Sequence, residues 1–184
     1  MKLSEFFDRL LNRDVTGIFR RIPLNVTGRL YVSPMPFGAY DPGNRLLGVY
    51  KKNNIDHVFV LVTDAELEKK AKRNLFKQYE KAGITFSRYV IRDFQAPSID
   101  VIANLVDEAK QRLADQRVAV HCHAGVGRTA VAVCSIVVAI ERMSVDDTIQ
   151  FVKKNMLVNI TTEQINLIRK FADSIEKLSL KDEL

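Results

Sequence analysis

A cysteine, two glycines and an arginine crowd into Val118–Val131, VAVHCHAGVGRTAV. His121 and His123 flank the Cys122 thiol; Gly125, Gly127, Arg128 and Thr129 follow. The valines and alanine ahead of His121 predict a core strand. The apolar run from Arg128, RTAVAVCSIVVAIER, predicts a buried helix. A strand that turns through glycines into a helix makes an anion site. The helix start offers free N–H groups and a positive dipole end. The glycines let loop amides turn inward as a nest. A thiol in that field is expected to ionise near neutral pH, and an arginine fork matches two phosphate oxygens. Attack by a thiolate on a bound phosphate fits all of these residue types.

Other chemistry fits fewer of them. His121 and His123, at i and i+2 of a strand end, point to one side and suit a shared metal ion. The chain holds only one further histidine, His57, so no metal is expected. A structural cysteine is the default for a lone thiol, but it leaves Arg128 and the two glycines without a purpose. That default does suit Cys134, which falls inside the apolar helix.

The elements that must position Cys122 read as alternating strands and helices. Residues 3–12 have helical apolar spacing, and 14–27 read as an irregular connection. Strands are expected at 28–33, 56–62, 84–91 and 117–121, the second buried on both faces. Helices are expected at 44–53, at 64–83 with an acidic start and a Gly83 stop, and from a Ser98 cap to Asp115. Three more follow, from Arg128, at 145–155 and at 161–178. The alternation predicts an α/β fold, a central, mostly parallel twisted sheet with helices on both faces. Ligands bind such sheets at the carboxyl ends of the strands, where Cys122 falls.

At 184 residues, 47% hydrophobic and 27% charged, the chain suits one globular domain. Its formal charge of +6 favours anionic partners. The basic residues of 64–83 are interrupted by Glu66, Glu68 and Glu80 and read as a solvated face, so no nucleic acid is expected. Two cysteines are too few for a disulfide scaffold and suit a reducing compartment. No apolar run is long enough to span a membrane, and the first residues do not read as a signal peptide. The terminal Lys181–Leu184, KDEL, spells an endoplasmic-reticulum retrieval address. Without a signal for entry it reads as a coincidental helix tail, as do the sequons at Asn25 and Asn159, and a cytoplasmic location is expected.

The stretch from His121 resembles the signature of the cysteine-dependent protein tyrosine phosphatase superfamily, His-Cys-x5-Arg-Ser/Thr. His121, Cys122, Gly125, Arg128 and Thr129 fall on its positions; Ala130 stands where many members have glycine. RDFQAPS, residues 92–98, resembles the acid loop of compact dual-specificity and archaeal-type members, which implies Asp93 as general acid, with Asp64 next in line. TTEQINLI resembles a segment that carries a water-positioning glutamine, here Gln164, although Thr161 and Gln164 also make a capping-box pattern. The resemblance covers roughly residues 28–178, with 1–27 as an N-terminal helix and connection and 179–184 as a tail. It implies a phosphate loop of His123, Ala124, Gly125, Val126, Gly127 and Arg128, and a His121 that orders the loop. Thr129 would assist the departing thiolate, and no cofactor is needed. The loop has no lysine for additional phosphates, which favours a phosphoprotein over a phosphoinositide. Inositol phosphates, nucleotides and RNA 5′-phosphates stay open, as does an inactive phosphate-binding module.

Overall fold

The computed structural model describes residues 17–182, with side chains to Lys177. Five strands form one sheet in the order β1-β2-β5-β3-β4. They are β1 (Arg20–Ile22), β2 (Arg29–Ser33), β3 (His57–Val60), β4 (Thr85–Arg88) and β5 (Arg117–His121). All neighbours are parallel except β1, which runs antiparallel to β2. Seven helices are described: α1 (Leu46–Lys52), α2 (Asp64–Lys70), α3 (Leu75–Lys81), α4 (Ile99–Arg112), α5 (Arg128–Glu141), α6 (Val145–Asn155) and α7 (Thr162–Asp182). Every residue of β3 is buried, as a strand covered by helices on both faces requires. The α/β architecture with a mostly parallel sheet is therefore as the alternation predicts.

Register puts the chemistry at one rim. Ser33 at the end of β2 and Val60 at the end of β3 both lie beside His121, the last residue of β5. The next residue, Cys122, therefore leaves the sheet at the carboxyl ends of its three central strands. Behind it, α5 is buried from Arg128 through Val138 and packs against α4, α6 and α7. Its apolar sequence thus reflects a central helix, one surrounded by protein rather than by lipid. Among the described residues no helix is long and apolar enough to cross a membrane.

Three expectations are corrected. Residues 14–27 are not wholly irregular, because Arg20–Ile22 pairs with Leu30–Val32 as the edge strand β1. Its two arginines hide it from a hydrophobic pattern, and only Ile22 is buried. The helix expected at 64–83 is two helices. Ala71 is extended, Lys72 N–H donates to the Phe37 carbonyl at 2.9 Å, and Asn74 caps α3 by accepting from Lys77 N–H at 3.0 Å. A tertiary hydrogen bond and a local cap together outcompete helical continuation. The strands at 56–62 and 84–91 are shorter, at His57–Val60 and Thr85–Arg88. The helix expected at 3–12 and the last two residues of the KDEL tail lie outside the described residues.

One close approach fixes how β2 meets the end of α4. Gly28 N–H donates to Leu113 O at 2.9 Å, and Arg29 N–H to Gln116 O at 2.9 Å. A Cβ on Gly28 would meet the Gln116 carbonyl oxygen and lie 2.6 Å from that of Leu113. Both are backbone atoms and cannot swing aside. Gly28→Ala is expected to destabilise the fold by about 2 kcal/mol, as overpacking commonly does. A urea midpoint equal to that of the parent chain would contradict this.

Candidate active site

The loop after β5 is held from both sides. His123 O accepts from Met35 N–H at 3.1 Å, just past β2, and Val126 O accepts from Asn159 N–H at 2.9 Å. Gly125 has φ of +76°, and a Cβ there would lie 2.5 Å from Ser33 O. That position needs glycine for both conformation and space. The turn brings Gly125 N–H to 3.3 Å from Cys122 Sγ. Gly127 precedes α5 without a side-chain cap, which leaves helix-start amides without a side-chain partner. Cys122 itself is 3% exposed.

Below the loop runs a buried polar chain. Tyr79 hydroxyl lies 2.8 Å from His121 Nε2, and His121 Nδ1 lies 3.1 Å from Cys122 O. The carbonyl only accepts, so Nδ1 carries the proton and Nε2 accepts from Tyr79. The rings of Tyr79 and Tyr50 stack at 6.3 Å, and the Tyr50 hydroxyl reaches Ser33 Oγ at 2.6 Å. Burial pushes His121 down to about 4. His121 is thus a neutral hydrogen-bonding post between the third helix and the cysteine's own carbonyl.

Arg128 is 1% exposed. Its Nη1 donates to Glu66 Oε2 at 2.7 Å and to Ile91 O at 3.1 Å, and its Nη2 donates to Glu66 Oε1 at 2.8 Å. Nη2 also lies 3.2 Å from Asp93 Oδ1. The guanidinium Nε and the Thr129 hydroxyl are buried without a protein hydrogen-bond partner. A buried donor left unpaired is costly and calls for a ligand. Burial lowers the Arg128 pKa, but hydrogen bonds to Glu66 and the charges of Cys122, Glu66 and Asp93 raise it by more. Burial likewise pushes the Glu66 carboxyl up, yet hydrogen bonds from Arg128, Thr63 and Lys70 bring it down to about 2.

A cavity of about 200 Å³ opens over Cys122. Arg128, Asp93, Gln164 and loop residues His123, Ala124, Val126 and Gly127 line it, with Tyr40, Phe94 and Asn159. The structure therefore gathers the sequence-derived candidates at one place, from three separate stretches of chain. Two larger hollows, of about 600 and 470 Å³, lie elsewhere and present no cysteine. Gln164 Nε2 donates to Gln95 O at 3.0 Å, and its Oε1 accepts from Thr161 N–H at 3.0 Å. Burial and the charge of Lys70 hold His123 below the usual histidine range, so it adds no cation near neutral pH. Burial pushes Cys134 up to about 12. Among the described residues no group of His, Cys, Asp or Glu side chains could hold a metal ion.

Two residues escaped the sequence reading. Glu66 is the bidentate partner of Arg128. It is also the reciprocal partner of Thr63 in a capping box, which masks it as an ordinary helix start. Asp64, the reserve acid, is instead 71% exposed and pairs with Arg88. The available signal was Thr-x-x-Glu at the carboxyl end of β3, on the rim that carries Cys122. Asp41 is the second. Its buried carboxylate accepts from the N–H groups of Phe37, Arg45 and Leu46, at 2.8, 2.8 and 3.0 Å. That fixes the loop carrying Tyr40, whose ring meets His123 edge-on at 5.0 Å.

The model of a family described as polymorphic toxin system, DSP-PTPase phosphatase, matches residues 41–142. The chain belongs to this DSP-PTPase phosphatase family. It is similar to protein tyrosine phosphatase domain-containing protein 1 of Danio rerio, at 34% identity over 101 residues. That match covers 54% of this chain and 14% of the relative, so the chain spans only a small part of its curated relative. Kinase associated phosphatase shares the fold, with a TM-score of 0.78 and 20% identity over 89% of this chain and 98% of that one. So does PTPMT1, solved in complex with PI(5)P, with a TM-score of 0.74 and 20% identity over 88% and 98%.

Two expectations follow from these charges. Glu66→Ala leaves Arg128 buried without its main partner and should lower kcat/KM for an aryl phosphate by about a hundredfold, from misplacement of the guanidinium. Asp64→Ala should leave it within about twofold, since exposed ion pairs contribute little. Equal effects would contradict the assignment. The second concerns acid stability. His57 and His121 are both held down to about 4 by burial. Below pH of about 6.5 the unfolded chain takes up protons that the folded chain refuses. Stability is therefore full above that pH and is lost as pH falls towards 4. The Glu66 contribution is lost only below about 4.5, and the Asp41 carboxyl, raised by burial, acts with the opposite sign as pH falls, so a net fall in melting temperature between pH 6.5 and 4.5 reports the buried histidines. A flat profile there would refute the buried neutral imidazoles.

Proposed function

We propose that this chain is a phosphomonoesterase that works through a cysteinyl-phosphate, with phosphotyrosine in proteins as its main substrate class. The observation that carries the reading is the meeting of Cys122, Arg128 and Asp93 around one small cavity beside a nest of loop amides. The Cys122 thiolate attacks phosphorus as the P–O bond to the leaving group breaks. Loop amides and the unpaired Nε–H of Arg128 hold the equatorial oxygens. Asp93 gives its proton to the departing phenolate. Its carboxylate then takes a proton from water, which attacks the phosphocysteine, and phosphate leaves as the thiolate is restored. Thr129 hydroxyl supports that departing sulfur. No metal takes part in these steps.

The substrate class rests on the walls. Tyr40 and Phe94 at the mouth suit a flat aromatic leaving group. The loop itself offers no lysine, and a neutral His123 does not replace one. The phosphatase unit spans residues 28–178 in this reading, with the preceding edge strand attached, and two free thiols suit the cytoplasm.

The test is turnover, without added metal, of phosphotyrosine, phosphoserine and phosphoinositide panels. Phosphotyrosine peptide and aryl phosphate should be hydrolysed best. Cys122→Ser should lose all turnover, and its survival would end the nucleophile assignment. Asp93→Asn should cost kcat/KM about a hundredfold on phosphotyrosine and far less on a nitrophenyl ester, whose leaving group needs no proton. Preference for a phosphoinositide would overturn the substrate class and leave the chemistry standing.

A further inference from the structure

The acid loop does not sit over Cys122 by its own local preference. Gln95 N–H donates to Arg92 O at 3.1 Å and closes a turn with Asp93 and Phe94 at its centre. Phe94 has φ of +59° and is 71% exposed. A non-glycine residue in the left-handed region persists only where its surroundings hold it, and an exposed aromatic ring supplies no holding contact. The turn is instead fastened at its two ends, and between them Asp93 Oδ1 lies 3.2 Å from Arg128 Nη2. At one end Ile91 O accepts from Arg128 Nη1 at 3.1 Å. At the other, Gln95 O accepts from Gln164 Nε2 at 3.0 Å.

Gln164 is built for that fastening. It is 1% exposed. Its backbone N–H donates to Thr161 Oγ1 at 3.3 Å, and its Oε1 accepts from Thr161 N–H at 3.0 Å. This reciprocal capping box at the start of α7 sets the direction of the amide. With Oε1 turned to Thr161 N–H, the Nε2 protons face the acid loop.

We propose that Gln164 is a positioning residue that straps the acid loop to α7 and so keeps Asp93 over the nucleophile. This rests on the phosphatase reading above. It makes the first step depend on Gln164. Loss of the strap impairs protonation of the leaving group, in the first step, and also proton removal from water, in the second, because Asp93 serves both. Loss of a water-placing group would impair only hydrolysis of the phosphocysteine, in the second. The step up to phosphocysteine formation governs kcat/KM, whereas hydrolysis can enter only kcat.

The experiment compares the parent chain with Gln164→Glu, Gln164→Met and Thr161→Ala on phenyl phosphate and p-nitrophenyl phosphate. Gln164→Glu keeps an acceptor for Thr161 N–H but loses the donor to Gln95 O. For both Gln164 variants, kcat/KM on phenyl phosphate should fall by about tenfold or more, and on the nitrophenyl ester by less than about threefold, a weaker copy of Asp93→Asn. Thr161→Ala keeps the Gln95 bond and should affect both esters equally. The proposal is overturned if kcat/KM is unchanged on both esters, or falls equally on both. It is also overturned if Thr161→Ala reproduces the discrimination between esters. A parent chain that hydrolyses neither ester, or a Cys122→Ser variant that still does, would defeat the phosphatase reading instead.

Discussion

Arg128 keeps a full positive charge out of water, and such a charge must be met on nearly every side. Glu66 meets it with two short hydrogen bonds, Ile91 with a carbonyl and Asp93 with a carboxylate. Those three partners come from the first turn of α2 and from the segment after β4. The guanidinium therefore draws two separate pieces of the rim against the start of α5. Only the face towards the cavity is left, where Nε has no protein partner. The demand for charge compensation thus shapes both the walls of the site and its opening.

The remaining support is steric and hydrogen-bonded. Gly125 brings the loop within contact of Ser33, where a side chain would collide. His121, Tyr79, Tyr50 and Ser33 join β5, α3, α1 and β2 under the cysteine. A loop fastened in this way keeps its amides aimed at one point before any ligand arrives. Preorganised dipoles of that kind are the largest source of electrostatic stabilisation in enzymes. The acid loop differs. It hangs from Arg128 at Ile91 and from Gln164 at Gln95, with an exposed Phe94 between.

The family match covers residues 41–142, and so includes the cysteine loop, the acid loop and Glu66 but stops short of Gln164. The fold likeness to kinase associated phosphatase extends over 89% of the chain. Outside the family match lie the edge strand β1 ahead of it and, beyond it, α7, whose Gln164 fastens the acid loop.

What the sequence by itself determined was local. Val118 to Arg128 prescribes a strand, a glycine turn and a helix start, and those pieces carry their anion-binding geometry wherever they are placed. The buried run of β3 and the apolar α5 likewise announce a covered parallel sheet, because burial on every side leaves no polar face. What only the tertiary structure decided were the pairings between distant stretches. β1 owes its existence to pairing with β2, since two of its three residues are arginines. The break between α2 and α3 depends on a carbonyl at Phe37, more than thirty residues away. Gln164 reads as a capping residue from its neighbours, and both Glu66 and Gln164 are reciprocal partners of a threonine three residues earlier. Their second partners, Arg128 and Gln95, lie 62 and 69 residues away along the chain. A side chain's local partners are written in its spacing, whereas its long-range partners depend on how the sheet and helices close on one another.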